Sequence, residues 1–94
     1  MIKSFKSKET EKIFNRIYSL KLPTSIQKIA LRKLWMIDVA QTINDLRIPP
    51  ANHLEQLKGN KQGQYSIRIN NQWRVCFRWQ QSDAYEVEIV DYHN

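Results

Sequence analysis

One cysteine, Cys76, stands in 94 residues, so no internal disulfide is available and no cysteine set for a structural zinc site exists. Glycine is almost as scarce. Both glycines, Gly59 and Gly63, lie in "KGNKQG", which is too loose for a phosphate-cradling loop and matches no Walker pattern. Long apolar runs are missing too. No window approaches the roughly 18 apolar residues of a membrane span, and the opening "MIKSFKSKETEKIF" lacks the continuous apolar stretch of a signal peptide. A lone cysteine fits a reducing compartment, so the expectation is a cytoplasmic protein without membrane contact. Acid is in short supply, nine Asp and Glu against fifteen Lys and Arg. The nine acids are scattered with no pair spaced for a metal site, which disfavours a metal nuclease; no metal and no cofactor are expected.

What is present describes one folded domain, residues 1–94. A chain of this size buries roughly 60–70% of the surface its unfolded form exposes, and 41% hydrophobic content suffices for one core. The net charge of +6 is uneven, with nine of the fifteen bases in the first 34 residues. That suits a polyanionic partner such as nucleic acid.

The first half reads as helical. "MIKSF" is a candidate opening strand. In "SKETEKIFNRIYSL" Ser7 is the expected N-cap, Glu9 and Glu11 favour the first turns, and Ile13, Phe14, Ile17 and Leu20 make an apolar stripe. A second helix opens beyond Pro23 with a Thr24/Gln27 capping box. Its stripe is Ile26, Ile29, Ala30, Leu34, Ile37 and Ala40; Lys28, Arg32 and Lys33 fall off it and should be solvated. Pro49 and Pro50 close the helical half.

The second half alternates with period two. Tyr65, Ile67 and Ile69 share a face, as do Trp73, Val75, Phe77 and Trp79, and again Tyr85, Val87 and Ile89. Such strands make an antiparallel sheet with one face on the helices, and "HLEQL" is a candidate for one more. Matching faces across "NNQ" requires a three-residue loop, with Ile69 opposite Trp73, Ile67 opposite Val75 and Arg68 opposite Arg74. The same rule puts Arg78 opposite Glu86, an ordinary ion pair. Arg68 and Arg74 are then like-charged neighbours on the open face and are left over for an anionic ligand, although Arg74 can also simply pair with Asp91.

The opening "MIKSF", the block "LKGNKQGQYSIRINNQWRVCFRW" and the closing "DYH" resemble the HigB toxins of the RelE/HigB superfamily over nearly the whole chain. The resemblance implies a small α+β fold, two N-terminal helices packed on one face of an antiparallel sheet. It implies a type II toxin, a ribosome-dependent endoribonuclease that cuts mRNA in the decoding site. The implied partners are a HigA-like helix-turn-helix antitoxin, the ribosome and mRNA, with operator DNA bound only through the antitoxin complex.

Cleavage through a ribose 2′-OH without a metal needs a base, an acid for the departing 5′-oxygen, cations for the charge on phosphorus and a grip on the nucleotide. An imidazole such as that of His93 can serve as base or acid near neutral pH. Asp91 can orient an imidazole or act as base, and Tyr92 offers a hydroxyl and a ring for stacking. In similar toxins the closing Asp-Tyr-His contributes to catalysis, while the Arg of the "WR" step and the Lys of the "LKG" step handle phosphate. These roles carry over to Asp91, Tyr92, His93, Arg74 and Lys58, with Arg68 and Lys61 as further phosphate or RNA contacts. One departure touches the base. Some relatives carry a His three residues before that Lys, where this chain has Glu55; the nearby imidazole is His53. Either can approach the site, so both are additional candidates. Cys76 lacks a recognisable partner and reads as incidental, and Trp73 and Trp79 read as core. A reading from another class is a basic RNA- or antitoxin-binding module whose catalysis is weak or lost.

Overall fold

The computed structural model describes residues 1–59 and 63–92. Two helices come first, α1 (Lys8–Phe14) and α2 (Thr24–Val39). Two 3₁₀ helices (Ile43–Arg47 and Pro50–Asn52) lead into four strands, β1 (Glu55–Gln56), β2 (Gln64–Arg68), β3 (Trp73–Gln80) and β4 (Asp83–Asp91). The strands form one antiparallel sheet in the order β1-β2-β3-β4. The expected α+β architecture, helices against one sheet face, is what the chain adopts. Ile13, Ile26, Ala30, Leu34 and Ile37 from the helices meet Ile67, Val75, Phe77, Val87 and Ile89 from the sheet in a single core.

The opening stretch does join the sheet, but by isolated parallel bridges, Ile2 to Ala84 and Phe5 to Val87. It lies along the outer edge of β4, and the bonds from Lys3 N to Ala84 O (2.8 Å) and Val87 N to Ser4 O (3.1 Å) tie it there. "HLEQL" supplies β1, only two residues long, against Ser66 and Tyr65.

The first helix is shorter than its apolar pattern. Ser7 does cap it, accepting from Thr10 N at 3.3 Å. It stops at Phe14 because Arg16 turns left-handed (φ 64°). The Ile17 N–H then reaches Lys12 O (2.8 Å) and the Arg16 N–H reaches Ile13 O (3.0 Å). This is the Schellman closure, usually built on glycine. Ile17 and Leu20 are thereby thrown out of the stripe, 54% and 89% exposed. The expected Thr24/Gln27 box does not form. Pro23 is the N-cap, and Gln27 bonds instead to Ser19 N, Ser19 O and Leu22 O, holding the interhelical loop.

Lys33 is a further correction. It is buried, with Nζ 2.6 Å from Asn52 Oδ1. Asn52 is itself fully buried and donates to Leu46 O (3.2 Å) and Ile48 O (3.4 Å). The polar tail of α2 thus reaches a partner in the second 3₁₀ helix rather than water, which satisfies a group that would otherwise be costly to bury.

Register in the β2–β3 hairpin follows the three-residue loop, with Ile67 opposite Val75 and Arg68 opposite Arg74. Asn70 Oδ1 accepts from Gln72 N and Trp73 N, both at 2.8 Å, and shapes the turn. The β3–β4 hairpin differs. Its turn holds only Gln81 and Ser82, both at positive φ (51° and 69°), so Gln80 faces Asp83. A bulge between Cys76 and Arg78, with Glu86 at φ 54°, restores the longer register beyond it, where Trp73 faces Asp91. Arg78 therefore pairs in the ladder with Tyr85, not Glu86. Tyr85 leaves the core face and lies against the Arg78 guanidinium (4.7 Å to the ring centroid). The Arg78–Glu86 ion pair still forms, at 3.2 Å.

Candidate active site

On the open face of the sheet, His53, Glu55, Arg68, Arg74 and Tyr92 line an open cleft of about 390 Å³. Each comes from a different local device. Arg74 is on β3, on the face opposite Val75, and its guanidinium reaches over β2 toward β1. Glu55 belongs to the short edge strand β1. His53 is the left-handed residue (φ 42°) that ends the second 3₁₀ helix. Tyr92 follows β4, its N–H bonded to Gln72 O at 2.6 Å.

Arg74 is the centre of this arrangement and is only 7% exposed. Its Nε donates to Ser66 Oγ (2.8 Å) and one terminal nitrogen donates to Ser66 O (3.3 Å) and to the backbone carbonyl of His53. The other terminal nitrogen lies 3.6 Å from the Glu55 carboxylate, which is half exposed. The Tyr92 ring covers the guanidinium at 5.5 Å. Arg74 is therefore not a bare cation on the open face, and the carboxylate beside it is that of Glu55. The guanidinium is built in, with backbone, hydroxyl and carboxylate acceptors around it. Ser66 lies two residues along the neighbouring strand from Arg68, the residue opposite Arg74, and so shares its face; Asn52, fixed by Lys33, sets the carbonyl of the next residue, His53. Arg68 is half-buried beside it and bonds Asn71 Oδ1. Its charge adds to that of Arg74, and the Glu55 carboxylate offsets one of the two.

The closing triplet is divided. Tyr92 reaches the face of Arg74. Asp91 falls opposite Trp73 and accepts from Gln72 Nε2 (3.0 Å), and it is not among the residues lining the cleft. His93 and Lys61 lie outside the described residues. Lys58 is exposed and lines an adjoining cavity of about 470 Å³ that shares Tyr92 with the cleft. Gly59 beyond it has φ 76°, so the "KG" step is also a turn that needs glycine. Glu55 and His53 do meet at the cleft, though His53 stands in a turn and not on the strand. Sequence reasoning missed the support. Ser66 was visible as a polar position on the Arg74 face, but nothing in the pattern marked Asn52 or Lys33. Among the described residues no group of three or more His, Cys, Asp or Glu side chains is placed to hold a metal ion. Among them, too, no helix is long and apolar enough to cross a membrane.

Chemically, the cleft offers two guanidiniums for a phosphate, a carboxylate and an imidazole for proton transfer, and an aromatic ring with a hydroxyl. Comparison with known proteins agrees with this fold. The family model of the RelE-like HigB toxins of type II toxin–antitoxin systems matches residues 3–93. Toxin HigB-1 of Vibrio cholerae is 50% identical over 58 residues, 62% of this chain and 61% of that toxin. The chain thus matches less than two thirds of that relative's length. Endoribonuclease HigB of Proteus vulgaris is 33% identical over 93 residues, 99% of this chain and 100% of that protein. Among solved structures, the YoeB dimer of Staphylococcus aureus matches with a TM-score of 0.61 at 23% identity, over 99% of this chain and 95% of that one. At that identity it speaks for the fold alone.

Proposed function

This chain belongs to the HigB-like family of RelE-like toxins of type II toxin–antitoxin systems, and from that premise we propose that it is a ribosome-dependent endoribonuclease that cuts mRNA in the decoding site. The observation that carries the proposal is Arg74, held among Ser66, the His53 carbonyl and Glu55 beneath the Tyr92 ring. A cation fixed in this way is preorganised for charge that develops on a phosphate, which is where such groups contribute most.

The proposed step is attack of the ribose 2′-oxygen on the adjacent phosphorus. The 2′-O–P bond forms and the P–O5′ bond breaks, leaving a 2′,3′-cyclic phosphate and a 5′-hydroxyl. A base takes the 2′-OH proton and an acid returns one to the 5′-oxygen. Glu55 supports the first role, since its half-exposed carboxylate faces the cleft beside the phosphate-binding cation. Tyr92 and His93 are the donors proposed for the second, with Asp91 as a positioning group for His93. Arg68, Lys58 and Lys61 are proposed to hold flanking phosphates. No metal ion takes part in this scheme. The proposed partners are a HigA-like helix-turn-helix antitoxin, the ribosome with its mRNA, and operator DNA reached only in complex with the antitoxin, all in the cytoplasm.

The burial of Arg74 favours a second reading, a basic RNA- or antitoxin-binding module with weak or lost catalysis, because each of its bonds must loosen or be shared to admit a phosphate. Induced expression followed by mapping of mRNA ends, with and without translation, separates the two. Cuts that need translation and end in a cyclic phosphate or its 3′-phosphate product support the nuclease. Products with 3′-hydroxyl and 5′-phosphate ends rule out the 2′-OH mechanism, and ribosome binding without cuts leaves the binding module.

A further inference from the structure

The helical layer exposes apolar side chains that the core does not use. Ile17 and Tyr18 are 54% and 56% exposed, Leu20 is 89% exposed two residues on, and Trp35 is 38% exposed on α2. Ile17 and Tyr18, with Ile13 and Leu31, line a groove of about 320 Å³ between the exit of α1 and α2. Arg16 and Lys28 stand at its margin. The Arg16 guanidinium also lies 5.0 Å from the Trp35 ring, which ties that ring to the same region. Neither Arg16 nor Lys28 has an ion-pair partner among the described residues.

The sequence writes Ile17 and Leu20 as continuations of a core stripe, and the left-handed turn at Arg16 turns them outward. Apolar residues placed in a core pattern and then left in water mark a surface kept for something else. We propose that this groove is the docking site for the antitoxin, and that its occupant is an acidic amphipathic segment whose apolar anchors fill the floor while its carboxylates meet Arg16 and Lys28. The inference rests on the toxin–antitoxin reading above. Charge complementarity at a basic rim and helix-in-groove packing on an apolar floor are the two halves of such recognition. Ribosomal RNA fits less well, because the floor offers phosphate nothing. The single aromatic ring in it, Tyr18, is held by a 2.6 Å bond to Thr24 Oγ1.

The groove shares no residue with the catalytic cleft, so affinity and cleavage can be separated. The test uses the full chain and its purified cognate antitoxin, with two variants, Ile17→Asp and the pair Arg16→Glu with Lys28→Glu. All three positions are exposed, and folding is checked by thermal melt. Each variant is expected to raise the antitoxin Kd by roughly tenfold or more, as loss of an anchor does. The loss from charge reversal should shrink at high salt, and growth arrest without antitoxin should persist. Folded variants that bind antitoxin as the wild type does would overturn the proposal. So would variants that lose ribosome binding with antitoxin affinity intact, since the groove would then face RNA. A wild-type chain that binds antitoxin but cuts no RNA would sink the nuclease reading and leave the groove standing.

Discussion

Replacing Arg74 by alanine should damage the fold as well as the chemistry, and the two losses can be told apart. The guanidinium is 7% exposed and donates to Ser66 Oγ, Ser66 O and the His53 carbonyl. Ser66 is fully buried, so its hydroxyl cannot recover a water bond in place of the lost donor. A buried polar group left unsatisfied costs about 1–3 kcal/mol. The aliphatic stem leaves a void besides, while the carbonyl of exposed His53 regains solvent. The Glu55 contact is discounted, because that carboxylate is half exposed and such pairs contribute about 0–1 kcal/mol. The sum is about 2–4 kcal/mol, and at ~4–8 °C per kcal/mol for a domain of this size the melting temperature should fall by about 8–32 °C. The assay is a thermal melt beside cleavage measured well below both transitions, where cleavage should still fall by roughly 10²–10³-fold. Arg74→Lys, which keeps the charge and loses the fork, should fall between. An Arg74→Ala protein that melts within about 2 °C of the wild type would refute the argument, because the bonds to Ser66 and His53 would then contribute nothing to the fold.

Glu55→Gln should lower cleavage by roughly 10²–10⁴-fold without unfolding the chain, whereas His53→Asn, which tolerates the left-handed backbone and keeps the carbonyl used by Arg74, should lose little; a fully active Glu55→Gln would end the assignment of Glu55 as base. Tyr92→Phe keeps the ring on Arg74, so the melt should be unchanged while cleavage falls roughly 10²-fold if the hydroxyl moves a proton, and deletion of 93–94 should match His93→Ala; wild-type cutting by the truncated chain would place the chemistry at Glu55 and His53. Burial holds the Lys33 amine below the usual lysine range, and the charge of Arg32 adds to this. The unfolded chain then binds more protons between the folded value and the ordinary ~10.4, so wild-type stability should rise with pH through that window relative to Lys33→Met; urea midpoints that run parallel would contradict it.

Much of the fold was legible because its signals are local. Alternation assigned the faces of β2 and β3, and face matching set the first hairpin. The same alternation carries Tyr92 to the face of Arg74 but keeps Asp91 on the face of Ile89, so the closing triplet does not reach the cleft as a unit. The misses have specific causes. The end of α1 was hidden because Arg16 fills a place that usually reads as glycine. The second hairpin was misread because two irregularities cancel: the turn is one residue shorter and the bulge restores that residue, so the far end of the hairpin looks regular and only the stretch between turn and bulge, Asp83 to Tyr85, is displaced. Lys33 was judged by its helical position alone, while its partner Asn52 lies 19 residues away. Arg74 seemed free because one of its acceptors is a backbone carbonyl, which every residue has and no sequence pattern marks.

The seam where residues 2 and 5 meet residues 84 and 87 bears on when the molecule acquires its activity. These contacts join segments 82 residues apart in the chain, and loops of that length close late because their entropy is lost before the contact repays it. Val87 and Ile89 complete the core, and the same strand carries Tyr92 to Arg74. A nascent chain still lacking β4 therefore has neither a finished interior nor an assembled cleft. On the nuclease reading, the order of synthesis delays the toxin: it cannot act on the message that encodes it until β4 has emerged and docked.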